Sequence, residues 1–246
     1  MRAWNAILAA GVGAALAIGA ANPAFAEQGT VITSTADAYP VGASLADGET
    51  ISFGEGASIS VLTISSRMVD IVGPHDGPIP SGDRVSGSFA EGLAAAVFET
   101  DEGSPEIGGV RHVGDLKPSM VLYGTAVNTD GGGNTCLRPG TNLGLYREAS
   151  TDGRGDWTAG QLTSNDTGET SQILWRSLEY SVVWPEDIEF LDGAEYSIFM
   201  ANTPEPVSFK VHMLPETSDA GQLINLMAER GCTAQVQSVA ERLPAS

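Results

Sequence analysis

From Val31 onward the chain is patterned in short runs whose apolar positions recur every second residue, broken by turn-forming dipeptides. Alternation runs through Ile59-Ser60-Val61-Leu62-Thr63-Ile64. Asp47-Gly48 separates Ser44-Leu45 from Thr50-Ile51-Ser52-Phe53, a combination that predicts a hairpin. Residues 27–80 therefore read as a small β module. It is expected to close at Gly73-Pro74-His75-Asp76-Gly77-Pro78, a stretch too rich in Gly and Pro to continue a ladder. The period then lengthens. Val85, Phe89, Leu93, Ala96 and Val97 recur at three- and four-residue intervals, which predicts a helix within Ser81–Glu102 with Ser81 or Asp83 as its cap. With the Gly-, Pro- and charge-rich stretch up to Pro118, this makes 81–118 a helical connector.

Period two returns in 119–214. Val121-Leu122-Tyr123, Thr135 to Leu137, Leu143 to Tyr146, Gln172 to Trp175, Tyr180 to Trp184, Tyr196 to Met200 and Val207 to Val211 are strand-like. Short strands at near-regular spacing predict a β-sandwich, with Trp175, Trp184 and Tyr196 as core side chains. Residues 215–246 are helical again. Ser218 or Asp219 caps Leu223, Ile224, Leu226 and Met227, Gly231 stops that helix, and Thr233 opens a second carrying Val236, Val239 and Leu243 before Pro244. The expected fold is mainly β: an N-terminal β module, a helical connector, a C-terminal β-sandwich-like module and a short C-terminal helical hairpin. The 30 glycines and 13 prolines among 246 residues suit such frequent turns.

Residues 1–26 carry a different signal. Arg2, an apolar run from Ala6 to Ala21, then Pro23 and Ala24-Phe25-Ala26 before Glu27 form the pattern of a secretory signal peptide. The run is shorter than the roughly 20 residues a spanning helix requires. A periplasmic or secreted protein is expected, with no membrane span after removal of the signal. In an oxidising compartment the two cysteines, Cys136 and Cys232, are expected to form a disulfide. That bond would fasten the second β module to the C-terminal helices.

Charge narrows the partners. The formal net charge is −19, and Lys117 and Lys210 are the only lysines. Such a surface disfavours nucleic acid and anionic lipid headgroups, both of which are neutralised by Lys and Arg. The acids are spread along the chain, as on a solvated surface.

Candidate chemistry is sparse. His75, His112 and His212 stand singly and read as loop or surface residues; there is no His-Glu-x-x-His and no Cys-x-x-Cys. Asn128, Asp130 and Asn134 in one glycine-rich loop, and Asp152 with Asp156 in another, offer oxygen ligands for calcium, although Asp, Asn and Gly are also the residues of ordinary turns. Arg154-Gly155-Asp156 and the sequon Asn165-Asp166-Thr167 read as turn chemistry too. No Gly-x-Ser-x-Gly elbow or Ser-x-x-Lys occurs, and no residue is singled out as catalytic. No cofactor is expected.

Tyr39 to Gly77, with Val41-Gly42, Asp47-Gly48, Ile59 to Leu62 and Ile71-Val72-Gly73-Pro74, resembles the FecR-like β modules of bacterial envelope proteins. The continuation is similar to a set of exported bacterial proteins: Ile107 to Arg111, Cys136-Leu137-Arg138-Pro139-Gly140 running to Leu145-Tyr146-Arg147, Trp184-Pro185, Asp192 to Tyr196, and Arg230 to Gln235. These are packing and turn motifs. The resemblance implies architecture and an envelope setting; relay to a sigma factor is not implied, because the cytoplasmic segment and retained helix of signalling FecR proteins are not seen. The function expected is non-catalytic interaction with an envelope protein or polysaccharide through sheet edges. The alternatives are a secreted hydrolase using paired carboxylates and a calcium-stabilised adhesin.

Overall fold

The computed structural model describes residues 27–84, 87–98, 126–139, 143–147, 158–176, 181–201 and 205–243. The fold is mainly β, as the patterning predicts. The N-terminal strands are β1 (Gly29–Ser34), β2 (Ser44–Leu45), β3 (Ile51–Phe53), β4 (Ser58–Thr63), β5 (Arg67–Val72), β6 (His75–Gly77) and β7 (Asp83–Arg84). Five of them form a sheet in the order β2-β1-β4-β5-β7, and β3 pairs antiparallel with β6 in a two-stranded sheet. Val31, Ile59, Val61, Val69 and Ile71 face one core that also takes Leu45 and Ile51.

Three expectations change here. Asp47-Gly48 makes a turn, with the Glu49 amide donating to the Ala46 carbonyl, but no hairpin, because β2 joins β1 while β3 joins β6. The turn carries the chain from one sheet to the other. Gly73-Pro74 does not end the pairing either. The strand resumes at His75 in the second sheet, where Pro74, just outside the ladder, need donate nothing. Finally, Asp83 caps no helix: Asp83–Arg84 is an edge strand against Arg67 and Met68. The helix α1 runs from Gly87 to Phe98, so Ser81 lies well before it and Val85 lies outside the described residues.

The second group comprises β8 (Ala126–Asn128), β9 (Gly133–Leu137), β10 (Gly144–Tyr146), β11 (Thr158–Ser164), β12 (Thr170–Trp175), β13 (Ser181–Val183), β14 (Glu195–Met200) and β15 (Val207–Met213). They form a three-stranded sheet, β13-β10-β8, and a five-stranded sheet, β12-β11-β14-β15-β9. Trp175, Trp184 and Tyr196 are buried in the shared core with Leu162, Ile198 and Phe209. The Trp184 and Tyr196 rings meet edge to face at 4.9 Å. Each polar tip is satisfied: Trp184 Nε1 donates to the Ile188 carbonyl at 2.9 Å, and the Tyr196 hydroxyl donates to the Glu189 carbonyl at 3.0 Å. Val121 to Tyr123 lies outside the described residues.

The helices α2 (Ala220–Glu229) and α3 (Thr233–Arg242) follow. Asp219 accepts from the Gln222 amide at 2.9 Å as N-cap of α2. Gly231, at φ +72°, ends that helix: its amide donates to the Ala228 carbonyl and that of Cys232 to the Met227 carbonyl, the paired bonds of a Schellman motif. The apolar faces of α2 and α3 pack on the outer face of the N-terminal sheet and α1 packs on those two helices, so that Ile32, Leu62, Leu93, Ile224, Met227 and Val236 share one core. The chain's last helices thus cover its first strands.

Two buried amides hold these helices, one to the N-terminal sheet and one to the second group of strands. Asn225 of α2 accepts from the Thr30 hydroxyl at 2.9 Å and donates to the Leu62 carbonyl at 3.3 Å. Gln235 of α3 donates to the Cys136 carbonyl at 2.8 Å and accepts from the Cys136 amide at 2.6 Å. The side-chain amide stands in for a neighbouring strand on the edge strand β9. Beside it, Cys136 and Cys232 lie at disulfide distance, 1.98 Å between sulfurs and 5.9 Å between Cα atoms. Among the described residues, no helix is long and apolar enough to cross a membrane.

Candidate functional site

Of the residues proposed as calcium ligands, Asn128 and Asn134 bond through their side chains to the protein's own backbone. The Asn128 side-chain oxygen accepts from the amides of Asp130 and Gly131 at 2.9 and 3.3 Å, closing the turn after β8. Asn134 donates to the Arg230 carbonyl at 2.9 Å, at the C-terminal end of α2. Asp130 is exposed, and Asp152 and Asp156 lie outside the described residues. Among the described residues, no three His, Cys, Asp or Glu side chains converge as a metal site would require. The sequon, Asn165 to Thr167, forms the β11–β12 turn, with the Gly168 amide donating to the Ser164 carbonyl; Arg154 to Asp156 lies outside the described residues.

Two histidines sit on strands and not on loops. His75 is in β6, its ring 5.9 Å from that of Phe53. His212 is in β15, half-buried, with Nδ1 enclosed and without a hydrogen-bond partner. Burial and then the nearby Arg230 charge hold its pKa below the ordinary histidine value. Both causes favour the neutral ring. Glu27 is displaced downward by the hydrogen bond that the Ser65 hydroxyl donates to it, and burial pushes the Tyr196 phenol upward. These three groups stand on separate elements and form no constellation.

Tertiary structure assembles a groove that no local motif announces. It lies between the end of β1, the loop that follows it and the outer side of α3, and has a volume of about 700 Å³. Ile32, Ala36, Pro40, Val41 and Ala240 supply its apolar lining, and Thr33, Ser34, Thr35 and Gln237 its neutral polar groups. Asp37 and Glu241 are the charged lining residues, and both are exposed. The groove keeps its shape through local bonds. Ser34 folds back on the Ala36 backbone, donating to its carbonyl at 3.0 Å and accepting from its amide at 2.9 Å. Gln237 donates to the Val41 carbonyl at 3.3 Å, tying α3 to the loop.

Strand pairing explains why the space is open. On the flank of β1 facing away from β4, β2 pairs only with Gly29 and Thr30. Val31 still bonds to the backbone of Gly42 and Ala43. From Ile32 to Thr35, no strand lies on that flank among the described residues. A register shift between Val31 and Thr33 bends β1 at this point, as bulges do at sheet edges. Beside the groove the exposed surface is hydroxylic: Thr33 donates to Ser60 at 2.8 Å, and Ser60 donates to Asp70 at 2.6 Å.

Sequence reasoning missed Asp37, Gln237 and Glu241, since some two hundred positions separate the two walls. The only local hint is the hydroxyl run Thr33-Ser34-Thr35. Compared with models of known protein families and with curated proteins, the chain matches none.

Proposed function

We propose that this is a non-catalytic exported protein that binds a macromolecular partner, protein or polysaccharide, in the bacterial cell envelope. The observation that carries the reading is the groove beside β1: it is concave, part apolar and part polar, and of the size of known binding clefts. Beside it, β1 has no neighbouring strand beyond Thr30 on the flank away from β4, among the described residues. The export part rests on the amino-terminal pattern of residues 1–26 and agrees with the cysteine pair at disulfide distance. On the same reading, residues 27–80 are a FecR-like module used for architecture and contact.

The test is crosslinking in producing cells with a photoreactive residue at Thr35 in the groove and, as a control, at Gln172 on the open face of the five-stranded sheet. An adduct with an envelope component from position 35 and none from position 172 is the expected result. Equal labelling from both positions, or none from either, overturns the assignment of the groove as the binding site.

A further inference from the structure

We infer that the protein forms a reversible dimer in which β12 pairs antiparallel with β12 of a second copy, joining the two five-stranded sheets edge to edge about a two-fold axis at Gln172. β12 belongs to the second group of strands and takes no part in the groove beside β1.

Backbone phase leaves one flank of β12 open. The Ser164 amide donates to the Glu169 carbonyl at 2.9 Å, which sets the ladder between β11 and β12. Ser171, Ile173 and Trp175 exchange bonds with Leu162, Gly160 and Thr158, while Thr170, Gln172 and Leu174 turn their amides and carbonyls away from β11. Among the described residues no strand lies beyond β12, and no backbone bond reaches those three residues from that side. The other edges of the sheets are short or covered. β2 and β7 have 2 residues, β8 and β13 have 3, and β9 is occupied by the Gln235 side chain. β12 has 6 residues, Thr170-Ser171-Gln172-Ile173-Leu174-Trp175, without charge, proline or glycine. It lacks the devices that keep an edge from adding a strand.

Charge selects a second copy as the occupant. The uncharged run is bounded by one acid, Glu169, and one base, Arg176, both exposed. With Gln172 opposite Gln172, Thr170 meets Leu174 of the second copy, and at both ends Glu169 comes beside Arg176 of the second copy. Reversed, the strand is its own electrostatic complement, in a chain whose formal net charge of −19 otherwise drives copies apart. Leu174, 49% exposed, lies on this edge, and the neighbouring edge strand β13 exposes Val183. The two-fold axis closes the contact, and the covered β9 edge stops further addition. One strand pair is small beside the roughly 800 Å² per partner of a stable interface, so the expected Kd is on the order of tens of micromolar.

The experiment is sedimentation equilibrium of the mature protein, 27–246, from about 1 to 500 μM, a range that brackets such a Kd. A reversible equilibrium of monomer and dimer is expected. Leu174→Lys should raise its Kd about tenfold or more. Phe199→Lys, a similarly exposed position on the same face but two strands in from the edge, should leave it unchanged; circular dichroism of the dilute variants checks that both fold. Glu169→Arg and Arg176→Glu each set like charges together at both ends, and each alone should weaken the dimer about tenfold. An equimolar mixture of these two variants should restore association, because each end of the mixed dimer then pairs an Arg with a Glu. Mixing does not mend a disturbance within one copy. In cells, a photoreactive residue at position 172 faces its counterpart, so its adducts join two copies of this chain and hold no other envelope component.

A protein that stays monomeric throughout that range, a dimer indifferent to Leu174→Lys, equal weakening by Leu174→Lys and Phe199→Lys, or a mixture as weak as its components overturns the inference. Equal weakening would assign association to the sheet face and not to its edge.

Discussion

The two β cores of this protein are closed in different ways. In the second group of strands, aromatic and aliphatic residues from β8 to β15 fill the space between two sheets contributed by one continuous part of the chain. The outer face of its five-stranded sheet stays open, with Leu174 and Phe199 about half exposed. The N-terminal sheet has an inner core of its own, but its outer face carries Ile32 and Leu62 and is covered by helices from the far end of the chain, on which α1 packs in turn. A self-contained sandwich gains its burial from near neighbours. The N-terminal sheet depends on contacts that span most of the sequence, and the cysteine pair, 96 positions apart, ties the same helices to β9 of the second group.

Removing residues 215–246 is the sharpest way to break that comparison. It uncovers Ile32 and Leu62, strips Thr30 of its Asn225 partner and takes away the cover of β9. Burial of one large aliphatic side chain is worth about 1.5–3 kcal/mol, and α2 and α3 bury several together with their sheet contacts, so the loss exceeds the stability of a small module. The expected outcome is loss of amide-exchange protection in β1, β4 and β5, with retention of the near-ultraviolet circular dichroism of Trp175, Trp184 and Tyr196. Equal loss from both regions would mean that the sandwich is not self-contained.

The next largest effect belongs to the cysteine pair. Cys136→Ala with Cys232→Ala frees the junction between β9 and the α2–α3 turn. In the chain-entropy model a loop of this length is worth about 4 to 5 kcal/mol. Denaturant unfolding should show a loss approaching that size, felt first in the helices and N-terminal sheet. A loss below about 1 kcal/mol would show that packing and the Gln235 bonds alone hold the junction.

The smallest effect is pH dependence at His212. Its pKa is depressed in the folded protein by burial and by Arg230, so the unfolded chain binds the proton more readily. Its contribution to stability is complete above the ordinary histidine range and is lost as the pH falls from there through the depressed folded value. Thermal unfolding across that window should therefore show a falling melting temperature, and His212→Gln should flatten the fall. An unchanged slope in the variant would assign the dependence to other groups.

Local patterning made most elements legible. Asp219 and Gly231 mark the ends of α2 because a cap and a left-handed stop need particular residues regardless of what packs nearby. The sandwich strands from β12 to β15 were readable from alternation, as were their aromatic core residues. The interior strand β11 was not, since Thr158-Ala159-Gly160-Gln161-Leu162-Thr163-Ser164 looks like a polar loop. Its glycine is a packing requirement: a Cβ at Gly160 would stand 2.8 Å from the Met200 sulfur and 3.1 Å from the Trp175 ring. The sheet makes a strand of a segment whose own propensity is weak. The Asp47-Gly48 turn fails as a hairpin for the converse reason, because a turn sets the direction of the chain while the choice of sheet belongs to distant partners.

The mainly β class, the alternating core positions, the caps of α2 and the acidic surface are legible residue by residue, because each depends on side-chain type and near neighbours. Long-range packing set the rest: the last helices cover the first sheet, Asn128 serves a turn and Asn134 a helix end, and Asp37 and Glu241 share a groove. Those outcomes depend on which surfaces exclude water together. Residues some two hundred positions apart leave no local trace of that choice.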